Sequence, residues 1–479
     1  MERLFKLKEN GTNVRTELLA GLTTFFAMSY ILFVNPEMLS QTGMPAQGVF
    51  LATIIGTVAG TLMMAFYANI PYAQAPGMGL NAFFTYTVVF ALGYTWQEAL
   101  AMVFLCGVIS IIITLTSIRK TIIAAIPASL QHAIGGGIGV FLAYIGIKKA
   151  GLLKFAIDPG TYTVAGEGAD KGAAAITANG MATPGLVDFN NPAVLVALFG
   201  IVITIILVLK RVRGGIVLSI AATTILAIFA GVVDLSKIDF AANNLGAAFK
   251  DLGTIFGAAL GSKGLGSLFS NPARIPEVLM AILAFSLTDI FDNIGTLIST
   301  GRKSGIFNVA DEEAAKDSSG LQTKLDKALF SDMVGTTVGA IAGTSNVTTY
   351  VESAAGIEAG GRTGLTALVV AGLFTLSAIF SPLLAVVPTV AVAPILIIVG
   401  IMMLSAMKEI AWDDLSEAVP AFFTSIFMGF TYSITHGIAA GFIMFALVKV
   451  VKGQAKEVHP MIWILNALFI LNFISLALA

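Results

Sequence analysis

Three carboxylic acids, Asp289, Asp292 and Glu352, lie inside long apolar stretches of this 479-residue chain. A carboxylate at the centre of a lipid bilayer costs roughly 2.5–3.5 kcal/mol even on a lenient insertion scale, so each acid needs a reason to be there. Asp289 and Asp292 are three residues apart and would share one face of a helix. Such acids can accept hydrogen bonds from a ligand or carry a proton. The alternative is that they only cap or brace neighbouring helices.

Two segments interrupted by Gly, Pro or polar residues lie in matching places in the two halves of the chain, at 73–81 and 344–352. Each predicts a short extended stretch that leads into a half-helix. Non-helical backbone at membrane depth is tolerated where protein or a wet cavity satisfies its hydrogen bonds. A matched pair of such segments in inverted halves therefore predicts a substrate site near the membrane midplane. Two ordinary kinks in a packed bundle are the alternative.

A gap-free alignment of residues 70–84 with residues 341–355 places Asn81 opposite Glu352. The predicted substrate-binding residues lie on these segments or on the helix of the two aspartates: Asp289, Glu352, Tyr350, Asn81, Val351 and Leu80. Residues predicted to support binding or proton coupling lie beside them: Asp292, Asn293, Thr288, Asn346 and Thr349. Phe83 and Phe84 could form an aromatic wall together with Tyr350, and Tyr30 could line the same cavity.

Acids repel anions, whereas acids combined with amides and free backbone N–H groups suit a neutral planar solute with N–H edges and acceptor atoms. A nucleobase has this pattern. The acids also offer a proton site and thus a means of coupling to a proton gradient. The three histidines are too scattered to predict a metal site, and no nucleophile or metal constellation indicates an enzyme. We expect no cofactor, no metal and no nucleic-acid partner.

The composition indicates lipid as the main solvent, because 57% of the residues are hydrophobic and only 11% are charged. The single cysteine, Cys106, is expected to be a packing residue. The apolar stretch that begins at residue 18 is not followed by a small-residue cleavage site. It therefore predicts a retained first transmembrane helix and not a signal peptide.

Apolar stretches of nearly membrane-spanning length recur along the chain, and with the two interrupted segments they form seven elements in each half. The elements of the first half cover 18–34, 49–67, 70–92, 99–115, 122–147, 193–209 and 216–233. Those of the second half cover 278–298, 328–341, 343–357, 365–387, 390–404, 418–432 and 438–451. Pro127 and Gly139 have the same spacing as Pro388 and Gly400. Because seven is odd, the second copy is inverted relative to the first.

The sequence thus predicts an all-α polytopic membrane protein with 14 elements in two inverted repeats and short extended stretches in elements 3 and 10. The predicted segments are a cytoplasmic N-terminus (1–16), the first repeat (17–233), an outer loop (234–275), the second repeat (276–452) and a tail (453–479). Within the first repeat, residues 151–191 predict an irregular outer loop. Within the outer loop 234–275, residues 240–269 predict an amphipathic surface segment. Lys and Arg collect in the short loops on one side of the predicted spans, which predicts that this side and the N-terminus are cytoplasmic. The expected location is the cell membrane. We expect the C-terminus to be cytoplasmic too, with 460–479 as an interfacial or packed helix in preference to a span.

At these residues the sequence resembles the AzgA-like purine permeases of the nucleobase–cation symporter superfamily, over essentially the whole chain. The residues that carry the resemblance are 11–17, 20–25, 34–36, 75–84, Asp289 to Asp292, 295–297, 348–352 and 360–364. The resemblance implies a core domain of elements 1–4 and 8–11, a gate domain of the remaining elements, and a homodimer. It also implies that Asp289 and Glu352 hydrogen-bond the base, that Tyr350 lies beside it, and that Asn81 and Asp292 support binding or coupling. Related uracil carriers have a histidine shortly after the acid of the eighth element, whereas here Asn293 stands four residues after Asp289, so a proton role must fall to a carboxylate.

We therefore expect a secondary transporter that imports purine nucleobases by proton symport and alternating access. The family favours hypoxanthine and guanine, with adenine as the alternative substrate and sodium as the less favoured coupling ion. An anion exchanger of the same architecture is the rival transporter, but it would be expected to lack the buried acids. A passive channel is a weaker alternative, because buried acids without a charged ring do not indicate a pore.

Overall fold

The computed structural model describes residues 1–116, 125–157, 162–165, 175–178, 182–240, 243–307 and 321–478. The predicted start of element 5 at Ile122 lies outside these residues. In the described part, nine helices are long and apolar enough to cross a membrane, and four further apolar helices are 10–17 residues long. The protein is therefore a polytopic α-helical membrane protein, as predicted.

The first repeat begins after a short N-terminal helix, and its elements follow the predicted order. The helices are α1 (Glu2–Phe5), α2 (Val14–Met28), α3 (Ile31–Ser40), α4 (Ala46–Met63), α5 (Met78–Ala82), α6 (Trp96–Leu115), α7 (Ala128–Lys149), α8 (Pro192–Leu209) and α9 (Gly215–Phe229). A short strand, β1 (Gln74–Pro76), precedes α5, and π-helical turns extend α4 over Met64–Ala68 and α5 over Phe83–Ala91. Element 1 is thus two helices with a break at Tyr30 and not one, while element 3 has the predicted extended stretch.

The second repeat follows an outer segment that contains α10 (Leu245–Ile255) and α11 (Leu265–Leu268). Its elements are α12 (Ile275–Ser304), α13 (Lys324–Ala342), α14 (Ser353–Glu358), α15 (Gly364–Leu376), α16 (Thr389–Met403), α17 (Leu415–Phe430) and α18 (Ile434–Val451), followed by α19 (Pro460–Leu478). Turns of 3-10 helix extend α15 over Ser377–Ala385 and α16 over Leu404–Glu409. The strand of element 10 is numbered β6 below, after the four strands of the loop 151–191.

The two outer loops are more ordered than predicted. The described parts of 151–191 form two antiparallel pairs, β2 (Leu153–Ile157) with β5 (Ala182–Leu186) and β3 (Tyr162–Ala165) with β4 (Ala175–Ala178). Helix α10 does not simply lie on the surface, because it packs closely against α4, where Gly48 lies against the backbone of Asp251. The irregular-loop prediction is therefore wrong for the paired segments.

Two close contacts between the repeats relate them by an approximate two-fold axis. Strand β1 pairs antiparallel with β6 (Val347–Thr349), so that Pro76 lies opposite Val347. Helices α7 and α16 cross at Gly139 and Gly400, where a Cβ on either glycine would lie 2.6 Å from the carbonyl oxygen of the other. Equivalent residues thus meet at the axis, which is what inverted repeats require.

The helices separate into the two expected groups. In one group α4 packs against α3, α13 and α15, while α6 packs against α12 and α13. In the other group α7 packs against α16 and α17, α16 packs against α8, and α17 packs against α18. The first group forms the core domain and the second forms the gate domain.

The C-terminal helix α19 packs along α18, which agrees with the packed helix that was one of the two predicted alternatives. Asn466 donates to the carbonyl of Phe442 at 3.2 Å, and the ring of Phe473 lies 5.8 Å from that of His436 near the start of α18. The two helices therefore run antiparallel. The cytoplasmic orientation of the C-terminus stays a prediction.

Candidate functional site

A cavity of about 1100 Å³ lies between the core and gate domains. Its core wall comes from the β1–α5 segment, α12 and the β6–α14 segment, and its gate wall from α7 and α16. Among the described lining residues are three acids, Asp292, Glu352 and Glu409, and one histidine, His132, with no Lys or Arg. The cavity is thus acidic in formal charge and does not resemble an anion site.

The paired strands β1 and β6 hold the two half-helices in place. Beyond the strand pair, Gly77 N–H donates to the carbonyl of Asn346 at 2.9 Å, and Tyr350 N–H donates to that of Ala73 at 3.0 Å. These bonds satisfy backbone groups that a broken membrane helix would otherwise leave unpaired. Gly77 is required by sterics, because a Cβ there would lie 2.7 Å from the Thr348 hydroxyl oxygen.

Glu352 immediately precedes α14, and it lines the cavity. Its Oε1 accepts a hydrogen bond of 2.5 Å from the hydroxyl of Tyr30, which lies at the break between α2 and α3. The ring of Tyr350 lies 6.4 Å from that of Tyr30, and its hydroxyl donates to the carbonyl of Pro76 at 2.7 Å. Tyr30 therefore contacts both the acid and the second tyrosine at the cavity.

Asp289 is fully buried behind the cavity wall in a network of amides. It accepts hydrogen bonds from the side-chain N–H groups of Asn293 at 3.2 Å and Asn346 at 3.3 Å. The Asn293 amide also donates to Asp332 Oδ2 at 2.6 Å, and its oxygen accepts from Thr349 N–H at 2.7 Å. One side-chain amide thus joins two buried carboxylates to the second broken segment.

Asp332 was not predicted as a site residue from the sequence. It lies on α13, is fully buried, and also accepts from Gln74 and Thr349, each at 3.3 Å. A signal was present, since Asp332 lies within the predicted span 328–341 and a carboxylate at membrane depth is costly.

The predicted site residues separate into two groups in the structure. Six line the cavity: Asp292, Thr288, Thr349, Tyr350, Val351 and Glu352. The other five lie outside the described cavity lining, and all are buried: Asp289, Asn293, Asn346, Asn81 and Leu80. The structure therefore places Asp292 with Glu352 at the cavity, and Asp289 one layer behind them.

Two predictions about the first broken segment need correction. Phe83 and Phe84 do not form a cavity wall, because both are fully buried and Phe83 packs against Phe285 with ring centroids 4.5 Å apart. Asn81 is not a structural twin of Glu352, because it lies within α5, whereas Glu352 precedes α14. Its side-chain oxygen accepts from the Ser345 hydroxyl. The linear alignment matched the strands but not the starts of the half-helices.

No group of three or more His, Cys, Asp or Glu residues that could hold a metal ion occurs among the described residues. The expectations of no metal and no cofactor stay predictions.

Comparison with known proteins identifies the family. The model of the Permease family (Xan_ur_permease) matches residues 15–167 and 163–440. The guanine/hypoxanthine permease PbuO of Bacillus subtilis is 38% identical over 483 residues, which cover 99% of this chain and 100% of that protein. The adenine permease AdeP of Escherichia coli K12 is 37% identical over 476 residues, covering 99% of this chain and 96% of that protein.

Among solved structures, the transmembrane domain of the cyanobacterial bicarbonate transporter BicA matches with a TM-score of 0.59 at 16% identity, over 90% of this chain and 97% of that one. The anion transporter Slc26a9 of mouse matches with a TM-score of 0.58 at 11% identity, over 91% and 68% of the two chains. At these identities the likeness shows the fold, which is that of two inverted seven-element repeats. The chain is therefore a transporter and not an enzyme, and it belongs to the Permease family, in the AzgA-like branch that its signature residues indicated.

Proposed function

We propose that this protein imports purine nucleobases, with hypoxanthine and guanine favoured, by proton symport. The observation that carries the proposal is the acidic cavity, in which Glu352 accepts a hydrogen bond from Tyr30 and lies on the same lining as Tyr350 and Asp292. Carboxylates there can accept hydrogen bonds from the N–H groups of a base, and aromatic rings can pack on its faces. The names of PbuO and AdeP support the substrate class, and both kinds of purine appear among them.

Adenine is the second candidate substrate, because relatives named for it are about as similar to this chain as those named for guanine and hypoxanthine. A 6-oxopurine presents N1–H to a carboxylate, whereas adenine presents an amino group. Anion exchange is disfavoured although the fold neighbours are anion transporters, because the described cavity lining contains acids and no Lys or Arg.

The proton site is proposed to be the group of carboxylates Asp289, Asp292 and Asp332. Asp289 and Asp332 share the Asn293 amide, and the same amide holds the backbone of Thr349 on the second broken segment. A change in the charge of Asp289 or Asp332 would therefore alter the hydrogen bonds that hold the segment carrying Tyr350 and Glu352. Among the described residues, the side chains that donate hydrogen bonds to the two acids are neutral: the amides of Gln74, Asn293 and Asn346 and the hydroxyl of Thr349.

Transport is proposed to occur by alternating access in the cell membrane. The cavity reaches Gln131 and His132 at the start of α7 and Glu409 at the end of the α16 extension, and these ends face the predicted cytoplasmic side. The conformation is then inward-open. A homodimer is proposed on the family resemblance, and the mass of the purified protein in detergent would test it.

Uptake into a strain without its own purine carriers tests the function. Labelled hypoxanthine should accumulate, unlabelled guanine should compete best, and adenine should compete more weakly. Collapse of the proton gradient should stop accumulation, whereas removal of sodium should not. Failure of all purines to compete would contradict the substrate class, and accumulation that depends on sodium alone would contradict the coupling ion.

A further inference from the structure

A largely buried ion pair joins the core and gate domains at the C-terminal end of α7, whereas the cavity lining includes Gln131 and His132 near the other end of that helix. Lys149 Nζ lies 2.5 Å from Glu37 Oε2, and the side chains are only 11% and 15% exposed. Glu37 belongs to α3 of the core domain, and Lys149 is the last residue of α7 in the gate domain. The predicted topology puts both residues at the outer side.

Aromatic rings and a second lysine surround this pair. Lys149 Nζ lies 5.8 Å from the ring centroid of Tyr86, and Lys148 Nζ lies 4.7 Å from that of Tyr432. The rings of Tyr86 and Tyr432 meet edge to face at 5.6 Å. Because Tyr86 belongs to the core domain and Tyr432 follows α17 of the gate domain, this contact also crosses the boundary. Together these five residues form a cluster of contacts across the domain boundary.

The pair can exist only while the outer ends of α3 and α7 are together. Removing one partner of a buried ion pair leaves an uncompensated charge, which strongly disfavours the conformation that buries it. An interaction made in one state only shifts the equilibrium between states by its whole differential free energy. Opening to the outside must separate this pair and let water reach both charges.

We propose that Glu37 and Lys149 are the latch of an outer gate, which stabilises the inward-open state and sets how often the site opens to the outside. The inference rests on the alternating-access part of the proposed function. It does not depend on which solute is carried, so it can be tested without one.

The test uses a cysteine reporter and a membrane-impermeant maleimide applied to intact cells. Ile145 lies one helical turn before Lys149, on the same face of α7, and is 1% exposed. An Ile145→Cys variant should label poorly from outside while the latch is closed. The unmodified chain provides the blank, because its single cysteine, Cys106, is buried.

Glu37→Gln and Lys149→Met, each combined with Ile145→Cys, should raise the outside labelling rate roughly tenfold, the change expected for about 1.4 kcal/mol of state-specific stabilisation. Both should also lower the apparent KM for external solute and the maximal uptake rate together. The matched control is Lys154→Met. Lys154 forms a 3.1 Å pair with Asp188 on the same side, but both belong to one loop and are 52% and 77% exposed. It should leave labelling and uptake unchanged.

The charge-exchanged variant Glu37→Lys/Lys149→Glu restores the ion pair and should return labelling toward the slow rate. If a single variant does not reach the membrane, the test uses the exchanged variant instead. Unchanged labelling in Glu37→Gln and Lys149→Met would overturn the latch, whether or not uptake falls. Fast labelling that the exchange does not reverse would overturn it as well. If labelling responds as expected while no purine is carried, the gate stands and the proposed substrate class fails.

Discussion

The two broken segments share a strand pairing but differ in their chemistry. Residues 74–76 and 347–349 pair as strands around one axis, and each leads into a short helix. The first segment brings small or apolar residues such as Pro76 and Gly77. Its two amides are turned into the protein, Gln74 toward Asp332 and Asn81 toward Ser345. The second brings Tyr350 and Glu352 to the cavity.

This difference shows that the two repeats share a scaffold but that their broken segments have different roles. The first segment allows close approach, since a Cβ on Gly79 would lie 2.3 Å from a methyl group of Ile138 on the gate helix α7. The second segment is held by the Asn293 amide and the acids behind it. The two-fold symmetry of the backbone positions the half-helices. Because the side chains do not follow this symmetry, the site has one acidic wall and one wall of small residues.

The largest effect is expected from Asp289→Asn, which removes an acceptor of Asn346 on the second segment and the charge beside Asn293. Uptake should be lost, a fall of more than about 100-fold if the buried network costs about 3 kcal/mol. Uptake and the amount of protein in the membrane are measured together. Asp188→Asn in the exposed outer loop is the control. Normal saturable uptake by Asp289→Asn would remove that residue from the site.

Glu352→Gln should weaken binding of the base by about 1.5–3 kcal/mol, the usual size of a hydrogen bond to a charged group. The dissociation constant of the purified protein for hypoxanthine measures this directly. Glu409→Gln makes the same chemical change at the other end of the cavity and should have little effect. Equal losses in the two variants would mean that general acidity matters and not the position beside Tyr30.

Gly77→Ala tests the scaffold of the first segment. The added methyl group would meet the Thr348 hydroxyl at 2.7 Å, and overpacking of this kind costs about 1–3 kcal/mol. Thermal stability and uptake should both fall. Adding Thr348→Ala removes both close atoms, the hydroxyl at 2.7 Å and the methyl group at 3.0 Å, and leaves the Cβ of residue 348 at 3.5 Å, so the double variant should recover stability. Absence of recovery would mean that the strand pair is not limited by this contact.

Asn81→Ala should have a moderate effect that arises from stability. It leaves the buried Ser345 hydroxyl without the acceptor that it has in the structure, at a cost of about 1 kcal/mol or roughly fivefold in a folding equilibrium. Ser345→Ala is the matched variant, and the double variant should be no worse than either single one. A lost affinity for the base with unchanged stability would instead place Asn81 in the binding site.

Val351→Ala should have the smallest effect, because Val351 lines the cavity but is 44% exposed. Exposed positions usually change stability by less than about 0.5 kcal/mol, so uptake should stay within roughly twofold. A competition panel of purines measures any change in selectivity. A large fall in uptake would show that the second segment depends on apolar contact as well as on its acid.

The order and type of the membrane elements could be predicted from the sequence, because lipid permits few structures and makes apolar length a strong signal. The acids Asp289, Asp292 and Glu352 were found for the same reason, since a carboxylate in an apolar run is conspicuous. Asp332 was missed because its helix, Lys324–Ala342, is less apolar and the acid is less conspicuous there.

Which acid meets the cavity was decided by the tertiary structure alone. Asp289 and Asp292 differ by a fraction of a helical turn, and only the packing of α12 against α6 and the broken segments turns one inward and the other to the cavity. Likewise, the pairing of Glu37 with Lys149 joins residues more than a hundred positions apart. The local sequence pattern determined which residues lie in the membrane. Contacts between elements that are distant in the sequence decided what each residue faces, because such contacts leave no periodic pattern in the sequence.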